Sequence, residues 1–231
     1  MNVQSKKLYV LLWIFCVIGS WSILPFSLYV GILPPAVSFL QIFLLATLQA
    51  ALLFAVICFL SFKLLPKTDL HPFTIKKPQI YFGVFCGVIL GLIIYILDRT
   101  VFQGSALSGV YVPIWTGALA SIYGAVNEEV LLRLFLLTFV YFLCRKLFTV
   151  TNKNRLIFLW IASFIAALVF GLGHLPAAFK LGQPTSFEIF RILFLNGLPG
   201  LVFGWLYWSR SLWTAMIAHL TADLMIYVVL R

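Results

Sequence analysis

Residues 36–62 read AVSFLQIFLLATLQAALLFAVICFLSF, twenty-seven positions without one charge. A helix rises about 1.5 Å per residue, and a hydrocarbon layer of about 30 Å takes about 20 apolar residues to cross. Ala36–Phe62 therefore reads as a membrane-spanning helix. The chain around it has the same character. Of 231 residues, 63% are hydrophobic and 10% are charged, and the mean hydropathy is +1.10. So little polar surface cannot cover a soluble core of this size, so lipid is the solvent for most of the chain.

Working outward with the same ruler gives six more candidates: Leu8–Val30, Ile80–Leu97, Pro113–Phe148, Leu156–Phe179, Phe187–Trp208 and Leu212–Leu230. The sequence thus predicts an all-α, polytopic transmembrane bundle of about seven spans. Pro34-Pro35 separates the first two. Lys63–Pro78, with Pro66, His71, Pro72 and Pro78, is the longest loop, and His71 reads as solvated there. As one straight helix the run Pro113–Phe148 would be about 54 Å long, more than a membrane holds. It is expected to start as an interfacial piece near Trp115 and to span from about Ser121. Leu8–Val30 is too long for the apolar region of a signal peptide and reads as an uncleaved first helix. No internal repeat, low-complexity tract or appended soluble domain is evident.

A net charge of +10 raises the question of nucleic acid, but the cations sit in short clusters between apolar runs. That is what membrane topology asks of loops. With the N-terminus inside, one side collects Lys6, Lys7, Lys63, Lys67, Lys76, Lys77, Arg145, Lys146, Lys153, Arg155 and Arg210. The other has Arg99, Lys180, Arg191 and Arg231. This bias predicts a multi-pass protein of a plasma membrane, bacterial by its composition, with a cytoplasmic N-terminus. Cys16, Cys58, Cys86 and Cys144 show no CxxC spacing and read as small buried apolar residues. Trp13, Trp115 and Trp208 suit interfacial belts. Glu188 and Arg191, i,i+3 at a helix start, read as a surface pair.

Four charges are left inside apolar runs: Glu128, Glu129, Arg133 and Asp223, joined by His174 and His219. An ionised side chain at mid-bilayer costs about 2.5–3.5 kcal/mol on insertion scales, so these residues need partners and point to function. Glu129 and Arg133 are i,i+4 on one helix face and can pair. Glu128 is rotated about 100° from Glu129 and free to look elsewhere. His219 and Asp223 are also i,i+4. Gly171 and Gly173, just before His174, let a helix or a substrate backbone come close, and Pro176 loosens the turn beyond it. Carboxylates on one helix and imidazoles on two others suit activation of water by a base with an oxyanion donor. Two histidines and a glutamate (His174, His219, Glu128) can equally hold zinc or another divalent ion with one position open.

These residues resemble the motifs of the CPBP family, also called Abi or CAAX-protease-like, whose members include the endopeptidase that trims prenylated CAAX proteins. Glu128-Glu129-Val130-Leu131-Leu132-Arg133 matches Glu-Glu-x-x-x-Arg. Phe170 to His174 matches Phe-x-x-x-His, and His219 to Asp223 matches His-x-x-x-Asn/Asp. Phe203-Gly204-Trp205 and Ser211-Leu212-Trp213 resemble its aromatic-glycine stretch and its lead into the final helix. The likeness covers roughly Trp115 to Leu230. It divides the chain into N-terminal helices without a signature, 1–112, and a catalytic membrane core, 113–231.

The resemblance implies a membrane endopeptidase acting on a peptide or membrane-anchored protein. Glu128 would be the general base and His174 would orient or ligate the water. His219 and Asp223 would stabilise the oxyanion or a metal, Asp223 only if protonated in the first role. Glu129, Arg133 and Phe170 would support them, the ion pair positioning Glu128. The His-Glu-x-x-His, Gly-x-Ser-Gly and Gly-x-Gly-Asp patterns of other intramembrane proteases are absent; Gly104–Gly109 has Ala106 where the first glycine would be. A non-catalytic membrane scaffold and a proton-coupled transporter are the competing readings. Oligomeric state is not legible.

Overall fold

The computed structural model describes residues 3–33, 37–103 and 112–230, with side chains from Lys6 onward. Pro34-Pro35, Gly104–Gly109 and Arg231 lie outside the described residues. Within them every long element is helical and there is no strand. Six helical stretches are long and apolar enough to cross a bilayer: Lys6–Val30, Phe39–Lys67, Lys77–Thr100, Arg155–Leu181, Ser186–Ser209 and Leu212–Val229. The run 114–147, which carries the buried carboxylates, is the seventh long helical element.

Local chemistry sets the breaks. α1 (Val3–Ser22) gives way to α2 (Leu24–Val30), with Pro25 in the first turn, where its missing N–H costs no hydrogen bond. α2 stops at Gly31, whose φ of 81° is the left-handed conformation that glycine adopts without strain. Ser38 and Gln41 form a capping box at the start of α3 (Phe39–Leu64). α4 (Lys77–Thr100) has Pro78 in its first turn. α7 (Arg155–Leu181) runs on through Pro176 instead of loosening there. α8 (Ser186–Ser209) opens with a Thr185–Glu188 capping box, and α9 (Leu212–Leu224) starts on the Ser211 cap.

The expected break near Ser121 does not occur. α5 (Ile114–Tyr123) passes directly into two π segments, π1 (Gly124–Glu128) and π2 (Val130–Leu137), and then into α6 (Thr138–Leu147). A third, π3 (Met225–Val229), extends α9. π turns are wider than α turns and cluster at functional sites. Two of them lie back to back around Glu129.

Small residues set the closest helix contacts. α4 packs on α9 through Gly83, Gly87 and Gly91. A Cβ there would lie 2.9 Å from the Thr214 carbonyl, 2.5 Å from that of Ala218 and 2.5 Å from Met225 Cβ. α7 meets α8 at Gly171, Gly200 and Gly204 in the same way. Lipid offers no hydrophobic drive between helices, so close backbone approach supplies the attraction. The core gathers around Leu134, Leu137, Leu159, Phe203, Leu206 and Ala218, while Leu40, Leu44, Leu48 and Leu52 on α3 face outward.

The two ends differ in charge. At one end Asp69 takes hydrogen bonds or ion pairs from Tyr141 (2.8 Å), Arg145 (3.1 Å) and Arg155, and the Leu212 N–H donates to the Pro72 carbonyl (2.8 Å). At the other, Lys180 donates to the Ile32 carbonyl (3.1 Å) and Arg191 pairs with Asp98 (2.6 Å). The larger cation set therefore falls at one end and the described members of the smaller set at the opposite end. Arg191 does not pair with Glu188, whose carboxylate closes the Thr185 cap. Two of the expected belt tryptophans work between helices. Trp13 donates to the Ala51 carbonyl on α3 (2.8 Å) and Trp208 to Ser163 Oγ on α7 (3.1 Å).

Candidate active site

Glu129 and Arg133 pair at 2.9 Å, and neither side chain has any exposed surface. Burying such a pair is costly unless its remaining polarity is met, and here it is met in part: Glu129 Oε2 and Arg133 Nε have no hydrogen-bond partner. Arg133 Nη2 donates to the Gly200 carbonyl (3.1 Å), and the guanidinium lies 5.1 Å from the Phe170 ring and 5.3 Å from the Phe203 ring. The aromatic faces offer it partial negative charge.

Glu129 Oε1 also accepts from His219 Nδ1 at 2.8 Å. The bond fixes the imidazole's orientation and turns Nε2 the other way. Nε2 then faces two carboxylates, Glu128 Oε2 and Asp223 Oδ2, each at 3.7 Å. Phe203 stacks on the ring at 4.5 Å and 20°, and Phe170 meets it edge-on at 5.7 Å. Glu128 does not look away from Glu129's surroundings, as an α-helical wheel predicts. The wide turns on either side of Glu129 advance each residue by less than the 100° of an α-helix, and both glutamates reach the same imidazole. The buried ion pair accordingly supports His219 directly.

Four residues before Glu128, Gly124 lets the polar side chains close in on the helix backbone. A Cβ built on it would lie 2.8 Å from Asp223 Oδ2, 3.0 Å from His219 Nε2 and 3.5 Å from Glu128 Oε2. The three polar groups already crowd the space that a side chain would take, so any residue larger than glycine would push them apart. The Glu128 and Asp223 side chains are 21% and 20% exposed, so the cluster is not sealed.

His174 stands beside this cluster. Its Nδ1–H donates to the Phe170 carbonyl at 2.9 Å, leaving Nε2 as an acceptor. Its ring packs on Phe170 at 4.9 Å, so Phe170 touches both imidazoles. His174, His219 and Glu128 do not assemble as a ligand set. Among the described residues no three His, Cys, Asp or Glu side chains are grouped so as to hold a metal ion.

All of these residues lie within residues 110–225, which match the family model described as "Type II CAAX prenyl endopeptidase Rce1-like". The chain belongs to the Rce1-like family. Comparison with curated proteins and with solved structures gave no match. The Rce1-like stretch covers α5 to α9 and takes in every buried ionisable residue named above. α1, α3 and α4 lie outside it yet pack against it.

Three features of the Rce1-like site escaped the motifs. Gly124 is one helical turn before Glu128, a spacing visible in the sequence. Gly83, Gly87 and Gly91 form a readable four-residue stripe. Asn127, buried and bonded to α1, carries no local signal at all.

Proposed function

We propose that this protein hydrolyses a peptide bond of a peptide or membrane-associated protein at membrane depth, with a water activated by Glu128. The observation that carries the reading is the convergence of Glu128 and Asp223 on His219 Nε2, each 3.7 Å away, in a chain of an endopeptidase family. His219 lies seven residues into the final helical span and Asp223 eleven, about 10 and 16 Å along its axis. Peptide hydrolysis there needs water held in place, a base, and a donor for the oxyanion.

Each need has a candidate. A water at the exposed side of Glu128 gives one proton to its carboxylate, and the water oxygen bonds to the scissile carbonyl carbon. The oxyanion accepts from a proton on His219 Nε2, with Nδ1 held by Glu129, and a protonated Asp223 adds a second donor. Glu128 then returns its proton to the amine as the C–N bond breaks, leaving an acid and an amine. His174, with Nδ1 spent on Phe170, keeps Nε2 to orient water or substrate.

The test compares membranes from cells expressing the wild type and Glu128→Gln, by mass spectrometry of newly formed peptide termini. Termini present with the wild type and lost with the variant are expected. Identical termini in both would remove the hydrolytic reading and favour a scaffold. The cation-rich end is proposed to face the cytoplasm. A cysteine at Lys146 should then be labelled from inside, and one at Lys180 from outside.

A further inference from the structure

We infer that Asn127 is a positioning residue of the site, and that through it α1, outside the family-matched stretch, holds the turn that carries Glu128. The inference rests on the proposed role of Glu128 as base.

Asn127 lies in π1 between Gly124 and Glu128 and is 1% exposed. Its Nδ2 donates to the Cys16 carbonyl (2.7 Å) and to Ser20 Oγ (2.8 Å), both on α1 and more than a hundred residues away. Ser20 Oγ in turn donates to the Cys16 carbonyl (2.9 Å). The amide oxygen lies against Gly19, where a Cβ would stand 2.0 Å from it. One turn of α1 therefore offers an acceptor pair and, beside it, the only side-chain size that admits the amide.

A clamp at this place has a specific consequence. π turns are rare and short, and an α-helical continuation competes with them. Reverting π1 to α would change the direction of Glu128 relative to Gly124, and with it the 3.7 Å approach to His219. Bonds buried from water and lipid are costly to break, since no solvent replaces them. The two amide bonds therefore pin the wide turn from outside the helix. Asn127 touches neither water nor substrate in the proposed chemistry; it acts through Glu128.

The test uses the full chain in lipid vesicles with two readouts. The first is cleavage of a fluorogenic farnesylated peptide ending in a CAAX sequence. The second is the pH titration of the ¹⁵N-labelled His219 imidazole, which needs no substrate and decides the matter alone if that peptide is not cleaved. Asn127→Ala should lower kcat by about tenfold or more, leave KM within about twofold, and shift the His219 titration. Ser20→Ala, which leaves the bond to the Cys16 carbonyl, should do less. Gly19→Ala should mimic Asn127→Ala, and the double variant should be no worse than Asn127→Ala alone, because the clash needs the amide. If Asn127→Ala does not fold, Gly19→Ala and Ser20→Ala carry the same two readouts. A fall in thermal stability with kcat and titration unchanged would reduce Asn127 to a packing residue and overturn the inference. Glu128→Gln separates the two claims. If it stays active, the base assignment fails; if it is dead while the Asn127 and Gly19 variants match the wild type, only the clamp fails.

Discussion

At the scale of single residues, Gly124 and Arg133 make opposite predictions. Ala is favoured over Gly inside a helix by about 0.5–1 kcal/mol, so Gly124→Ala should leave the melting temperature unchanged or slightly raised if the three side chains around it can yield. The same methyl lands 2.8–3.5 Å from Asp223, His219 and Glu128. Turnover should fall by about a hundredfold, as when a reacting group is displaced by about 1 Å. A fully active Gly124→Ala enzyme would mean that the close packing of these side chains on Gly124 does not matter to the chemistry. Arg133→Ala should act on stability first. It takes the cation from the fully buried Glu129 carboxylate, leaving it the His219 bond, and opens the space between Phe170 and Phe203. Breaking one side of a buried pair costs about 3–5 kcal/mol, which thermal unfolding in detergent would read. The motif spacing made Glu129–Arg133 legible, because i,i+4 residues stack on a helix. That Glu129 also holds His219, ninety residues on, could not be read from spacing.

At the scale of elements, the glycine stripe on α4 sets where α9, and therefore His219 and Asp223, stands. Gly87 is the tightest contact with the α9 backbone, 2.5 Å from the Ala218 carbonyl for an added Cβ. Gly87→Leu should push the two helices apart, costing about 1–3 kcal/mol by overpacking and lowering turnover together with stability. Gly182→Ala, with open space around its added Cβ, is the neutral control. Comparable melting temperatures for the two variants would sink this account of α4. The π segments belong to this scale as well. Hydropathy finds the run Pro113–Phe148 correctly but carries no information on turn width, since α and π turns bury the same kinds of residue. Excess length suggests a break, and the chain instead changes its winding.

At the scale of the whole molecule, the cation-rich end is fastened through Asp69, one acid joining the loop after α3 to α6 and α7. Burial raises its pKa, but hydrogen bonds from Arg155 and Tyr141 outweigh this and hold it below the ordinary carboxylate value. A group with a lowered folded pKa stabilises above its unfolded pKa and loses that contribution as pH falls through the folded one. Asp69→Asn should therefore destabilise the protein at neutral pH, by about 1 kcal/mol for a partly exposed network. The difference between variant and wild type should close as pH drops below about 4. A difference that persists at acid pH would assign the effect to packing instead.

The sequence by itself determined the membrane fold, the number and approximate limits of the long helices, and the residues that need partners in lipid. These follow from composition, length and i,i+4 spacing, which are properties of single segments. It did not determine which nitrogen of His219 faces which carboxylate, that both carboxylates close in on Gly124, that Phe170 touches both imidazoles, or that α1 reaches Asn127. Those facts depend on how helices distant in the chain pack and on where one of them widens. Most of these pairings join residues from 49 to 111 positions apart, and only tertiary contact brings them together.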